Sequence, residues 1–142
     1  MMKEIRKRLF NIKSEDDFNE VSLELFHYQA VNNPVYSAWL HQLELDHATI
    51  DSIEKIPFMP ISLFRDHKVI VDPHEAGLVF TSSGTGGMRR SSHYVADAGL
   101  YERSYSTCFS LFYGDPRNYV ILALLPSYLE RKGSSLVYMA EG

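Results

Sequence analysis

Cysteine is nearly missing from this sequence, and long apolar runs and a surplus of basic residues are missing altogether. A single cysteine, Cys108, in 142 residues leaves no partner for an internal disulfide, which suits a reducing cytoplasm. No apolar stretch approaches the ~20 residues that span a bilayer as a helix. The opening Met1-Met2-Lys3-Glu4-Ile5-Arg6-Lys7-Arg8 is charged with no apolar region behind it, unlike a secretory leader. The expected setting is therefore cytoplasmic, with no membrane partner. A net charge of -4 gives no overall field that would draw nucleic acid or anionic lipid, so an anion site has to be local. Internal repeats, low-complexity tracts and disordered linkers are absent too, and the length suits one domain with a real core.

The most informative stretch is residues 78–94, Leu-Val-Phe-Thr-Ser-Ser-Gly-Thr-Gly-Gly-Met-Arg-Arg-Ser-Ser-His-Tyr. Leu78, Val79 and Phe80 form a short apolar run that predicts a buried strand, and the serines and glycines after it end regular pairing. Four hydroxyl residues, three glycines and two arginines then fall within ten positions, 81–90. Glycine lets successive backbone N–H groups converge on an anion, hydroxyls add donors, and arginine adds charge, so the matching ligand is phosphate. Thr81, Ser82, Ser83, Gly84, Thr85, Gly86, Gly87 and Arg90 are the candidate binding residues, and His93 joins them because it follows the loop directly. The bland alternative is a surface turn between two strands.

Standard motifs fail here. A P-loop ends in Gly-Lys-Ser or Gly-Lys-Thr, and the chain offers only the reversed Lys132-Gly133. A dinucleotide fingerprint needs glycine where Arg89 stands. Neither Ser82 nor Ser83 has glycines two residues to each side, which a nucleophile elbow requires, so the serines are expected to bind rather than attack.

Thr81-Ser82-Ser83-Gly84-Thr85-Gly86-Gly87-Met88-Arg89-Arg90 resembles the phosphate-binding signature of adenylate-forming enzymes, commonly Thr-Ser-Gly-Thr-Thr-Gly-x-Pro-Lys-Gly. Within that superfamily the chain looks most like the acyl-protein synthetase branch, the LuxE-like fatty-acid-activating component of bacterial bioluminescence. Ile56-Pro57-Phe58-Met59-Pro60-Ile61-Ser62-Leu63-Phe64, Ser92-His93-Tyr94-Val95 and Leu124-Leu125-Pro126-Ser127-Tyr128-Leu129-Glu130-Arg131 carry the same likeness, which covers roughly the second half of the chain. Gly86, Arg89 and Arg90 stand where the superfamily has Thr, Pro and Lys; Arg90 supplies the cation, and the proline-set turn is lost.

The resemblance implies an ATP- and magnesium-dependent ligase that joins a carboxylic acid, expected to be a fatty acid, to the α-phosphate and passes the acyl group to a protein thiol. Enzymes of the family are much longer, so the chain is expected to be an N-terminal fragment, inactive by itself. A phenylacetate-CoA ligase-like enzyme, with coenzyme A as acceptor, is the nearest alternative. A non-catalytic fragment that binds nucleotide or a partner chain is the alternative of another class.

The expected fold is α/β: an N-terminal helical hairpin, then the start of a doubly wound sheet, forming an incomplete N-terminal domain of an adenylate-forming enzyme. Residues 1–50 would be the helical segment and 51–142 the nucleotide-binding region, with the phosphate loop at 81–91, the two forming one structural unit. A short helix is expected in residues 1–12. A second, capped by Ser14, should run to about residue 31 on the stripe Phe18, Val21, Leu25 and Tyr28, widened by Leu23 and Phe26. Asn33-Pro34 should start a third, reaching about residue 45 and burying Tyr36, Trp39, Leu40 and Leu43. Pro57 and Pro60 break residues 51–64, which should lie over the domain surface. Strands are expected at 68–71, 76–81 and 93–95, with a helix over 98–113 capped by Asp97. The uniformly apolar residues 119–125 should be a strand buried on both faces, completing a parallel βαβ unit. Without neighbours, that strand would expose an apolar edge and favour a homo-oligomer. A further loop and helix should follow Lys132-Gly133-Ser134-Ser135.

Elsewhere, His27, His41, His47, His67 and His74 form no ligand spacing, so no metal site is expected. Cys108 falls on the expected apolar face of its helix and should be buried and inert. Glu130 and Arg131 resemble residues facing the family's substrate cavity, or form a salt-bridged surface turn.

Overall fold

The computed structural model describes residues 2–71, 75–82, 90–122 and 133–142. Its architecture is mixed α/β: six α-helices and a two-stranded antiparallel sheet among those residues. The chain divides into two compact units, Met1–Leu63 with Val69–Pro73, and Phe64–Lys68 with His74–Gly142.

In the first unit, α1 (Met2–Leu9) packs on α2 (Glu15–Asn32), and α2 packs on α3 (Pro34–Gln42). Local chemistry sets these boundaries. The Ser14 hydroxyl accepts from the Asp17 N–H at 3.1 Å while the Asp17 carboxylate accepts from the Lys13 N–H at 3.1 Å, a reciprocal N-terminal box. The Lys13 backbone N–H first, and then the Ser14 side chain, hold the Asp17 carboxyl below the usual carboxylate range. Asn33 closes α2 with its backbone N–H on the Gln29 carbonyl and opens α3 by accepting from the Tyr36 N–H. Pro34 at the first turn needs no N–H partner.

The third helix stops at Gln42, short of the expected residue 45, because the chain turns back on itself. The Leu45 N–H donates to the Leu40 carbonyl and the Glu44 N–H to the His41 carbonyl, a Schellman closure in which Glu44, with φ 56°, takes the left-handed position that glycine usually fills. Leu43 is left exposed, contrary to expectation.

The stripe expected on α2 also divides. At ~3.6 residues per turn Val21 lies roughly opposite Phe26 and Ala30, and all three are buried while Phe18 is exposed. The helix is sandwiched: α1 covers one side, held by Arg8 reaching Glu24 at 2.7 Å and Glu20 at 2.8 Å. On the other side Phe26, Ala30, Leu40 and Ile50 form the core, with Leu23, Tyr36 and Ile56 packed against it. The Tyr36 hydroxyl donates to the Pro57 carbonyl at 2.8 Å, tying the proline segment to α3, and burial pushes its phenol pKa up. Past that tie Phe58 and Ile61 project into solvent, so this segment does not lie down over its unit as expected.

The short helix α4 (Leu63–Asp66) follows, and residues 68–71 are not a strand: no described strand lies beside them to supply a ladder. In the second unit β1 (Leu78–Thr81) pairs antiparallel with β2 (Ser92–Val95) in the register Leu78↔Val95, Val79↔Tyr94, Phe80↔His93 and Thr81↔Ser92. Side chains directly opposite share a face. The face of Phe80 and Val95 is buried against Tyr101 of α5 (Ala98–Tyr113) and Tyr138 of α6 (Ser135–Glu141), with ring centroids 5.1 and 5.4 Å from Phe80. The Asp97 carboxylate caps α5 by accepting from the Leu100 N–H at 3.0 Å, and Gly114, at φ 84°, ends the helix after the expected residue 113.

The parallel βαβ unit is not found among the described residues. Residues 119–122 have no strand pairing, and Val120 and Leu122 are 88% and 92% exposed instead of buried on both faces. An apolar run becomes a strand only where neighbours complete its ladder, and no described residue does so; residues 123–125 lie outside the described set. Leu111 and Phe112 on the last turn of α5 are exposed as well, and Cys108 is exposed rather than buried as expected. Only the first half of α5, around Tyr101 and Tyr105, lies against the hairpin and α6.

Candidate functional site

The site grows from the open end of the β1–β2 hairpin. The Ser82 N–H donates to the Ser91 carbonyl at 3.0 Å, and the Ser91 N–H donates to the Ser82 hydroxyl oxygen at 3.0 Å. This pair extends the ladder one step beyond the strands and clamps Ser82 to Ser91. Ser82 is thus partly a structural serine: its oxygen is engaged, while its O–H remains able to donate.

Antiparallel ladders alternate hydrogen-bonded and non-bonded pairs, so the Thr81–Ser92 pair, next to Ser82–Ser91, directs its backbone groups away from the partner strand. The Thr81 N–H indeed points outward, to the Gly133 carbonyl at 2.9 Å. Gly133 has φ 97°, and a Cβ there would lie 3.3 Å from Thr81 Oγ1 and 3.4 Å from the Val79 carbonyl oxygen. The residues just before α6 therefore sit on the free edge of β1, beside the first hydroxyl of the loop. Ser134 then caps α6 by accepting from the Val137 N–H.

Strand alternation sorts the other candidates. Thr81 and Ser92 share one face of the hairpin; Ser82, Ser91 and His93 share the other. His93 is exposed, one step along its face from the serine clamp, with its ring edge-on to Phe64 at 6.3 Å. On the opposite face the Lys68 ammonium lies 5.7 Å from the Tyr94 ring. Arg90 is exposed at the hairpin mouth. Thr81, Ser82, Arg90 and His93 are thus gathered at one end of the sheet, whereas Ser83, Gly84, Thr85, Gly86, Gly87 and Arg89 lie outside the described residues, as do His74, Glu130 and Arg131. Hydroxyl and guanidinium donors are of the kind that match phosphate oxygens.

Two features escaped sequence reasoning. His27 and His47, twenty positions apart, meet edge-on with ring centroids 6.0 Å from each other, and His47 Nδ1 is buried without a hydrogen-bond partner among the described residues. No third ligand joins them, and no group of three His, Cys, Asp or Glu side chains able to hold a metal occurs among the described residues. Second, the Tyr138 hydroxyl donates to the Glu102 carboxylate, linking α6 to α5. That bond pushes the phenol up to about 12. Nothing in the sequence pairs these residues, because both contacts join separate elements.

No helix among the described residues is long and apolar enough to cross a membrane. No family model, curated protein or solved structure matches this chain.

Proposed function

We propose that this chain belongs to an ATP-dependent, cytoplasmic acyl-activating ligase, whose hairpin mouth holds the phosphates while a carboxylic acid, most naturally a fatty acid, is joined to the α-phosphate. The observation that carries the reading is the Ser82–Ser91 clamp at the end of the hairpin, between whose two residues the sequence is rich in glycine, hydroxyl and arginine residues. As the carboxylate oxygen bonds to the α-phosphorus, the bond to the departing pyrophosphate breaks and negative charge gathers on it. Thr81, Ser82 and Arg90 are the described groups whose donors suit that charge. Magnesium, which the reading implies, would add positive charge at the phosphates. Transfer of the acyl group from the adenylate to a protein thiol, with AMP leaving and the thiol giving up its proton, completes the reaction and defines an acyl-protein synthetase.

In this reading the hairpin and α5 open a doubly wound sheet, and residues 119–122 are one of its strands, paired by chain beyond the described residues. The exposed Val120 and Leu122 also favour a second reading, a fragment that works through a partner chain or a second copy of itself.

The test is ATP-dependent pyrophosphate release by the complete open reading frame, across fatty and aromatic acids, with and without coenzyme A. Release with fatty acids and no need for coenzyme A is expected. Release only with coenzyme A would replace the protein thiol by that acceptor, as in a phenylacetate-CoA ligase. No release with any acid would refute the ligase reading in favour of a binding module. The isolated 142 residues are expected to release little or none.

A further inference from the structure

We infer that Gly133 is a positioning residue for the phosphate site, fixing Thr81 at the loop's first hydroxyl through the free edge of β1. The inference rests on the proposed nucleotide reading. Three observations carry it. The Thr81 N–H, turned away from β2, is held by the Gly133 carbonyl at 2.9 Å. Gly133 adopts φ 97°, a conformation that side chains disfavour. A Cβ at 133 would press on Thr81 Oγ1 at 3.3 Å and on the Val79 carbonyl oxygen at 3.4 Å, so both the backbone and the close approach call for glycine.

The clamp has two independent jaws. Ser82–Ser91 closes the hairpin from within, and Gly133 holds Thr81 from outside. Without the outer jaw, the Thr81 backbone and hydroxyl at the loop entrance lose their fixed setting while the hairpin stays paired. The cost then falls on phosphate affinity more than on folding. Because Gly133 touches the strand and not the phosphates, it acts through Thr81.

The test compares Gly133→Ala with the unaltered chain by hydrogen exchange at the Thr81 and Ser82 amides and by equilibrium binding of Mg-ATP. The expected result is loss of protection at Thr81 with protection kept at Ser82, together with affinity lower by about three- to tenfold, the worth of one hydrogen bond. Protection lost at both amides would make Gly133 a general folding residue and overturn the inference. So would a Thr81 amide unprotected in the unaltered chain, or unchanged affinity after selective loss at Thr81. Absence of Mg-ATP binding by the unaltered chain would overturn the nucleotide reading itself, and this inference with it; binding by the unaltered chain that Gly133→Ala leaves intact would sink the inference alone.

Discussion

Replacing Asn33 by alanine should be the most damaging single polar change in the first unit. The residue is 6% exposed and joins two helices: its side-chain oxygen accepts from the Tyr36 N–H at 3.3 Å, and its amide nitrogen donates to Gln29 Oε1 at 3.1 Å. Loss of an N-terminal cap costs about 1 kcal/mol, and the bond to Gln29 adds about 0.5–1.5 kcal/mol. Alanine accepts the extended backbone that a residue before proline needs, so strain adds nothing. The expected loss is about 1.5–2.5 kcal/mol, which at a urea slope of ~1 kcal/mol/M lowers the midpoint by about 1.5–2.5 M. Trp39, the sole tryptophan, lies on α3 and reports this unit by fluorescence. Asn33→Ser keeps an acceptor for the Tyr36 N–H and should recover about 1 kcal/mol. A midpoint unmoved by Asn33→Ala, or a serine variant no better than alanine, would refute this account of the helix junction.

Glu44→Gly should stabilise the same unit by about 0.5–1 kcal/mol in the same urea assay, since relief of the left-handed residue exceeds the entropy cost of glycine; destabilisation would contradict the Schellman closure. For Tyr138, the folded pKa of about 12 stands above the ordinary phenol value of about 10. The folded state therefore holds its proton longer, and the stabilisation is full below pH ~10 and lost as pH rises through ~12. Ultraviolet titration should find Tyr138 ionising late, beside the buried Tyr36, and Glu102→Gln should return Tyr138 toward the ordinary range; an unchanged curve would break the Tyr138–Glu102 link. Exposed Val120 and Leu122 should make the chain self-associate, and Leu122→Asp should raise the monomer fraction in sedimentation; identical profiles would locate any association elsewhere.

What was legible in the sequence were features whose cause is local. Ser14, Asn33-Pro34 and Asp97 announced helices because each cap needs only a side chain and the amides two or three residues on. The strand before the loop and the strand after it were visible for similar reasons, from an apolar run cut short by serine and glycine. Features that depend on distant neighbours were misread or missed. Residues 68–71 and 119–122 have strand-like composition, yet no described partner completes a ladder. Phe18 looked buried because a helical stripe shows periodicity without showing that α2 is sandwiched and buries two faces. At the site, the density of hydroxyl, glycine and arginine residues was readable, but the Ser82–Ser91 clamp and the reach of Gly133 to Thr81 were not, since the latter contact spans more than fifty positions.

Equilibrium binding of Mg-ATP to this chain and to Arg90→Ala tests the phosphate site most directly. Removing a charge-assisted hydrogen bond costs about 1.5–3 kcal/mol, so saturable binding by the unaltered chain should weaken by about tenfold or more in the variant, more strongly at low salt. Absence of saturable binding, or equal affinity in both proteins, would contradict the account.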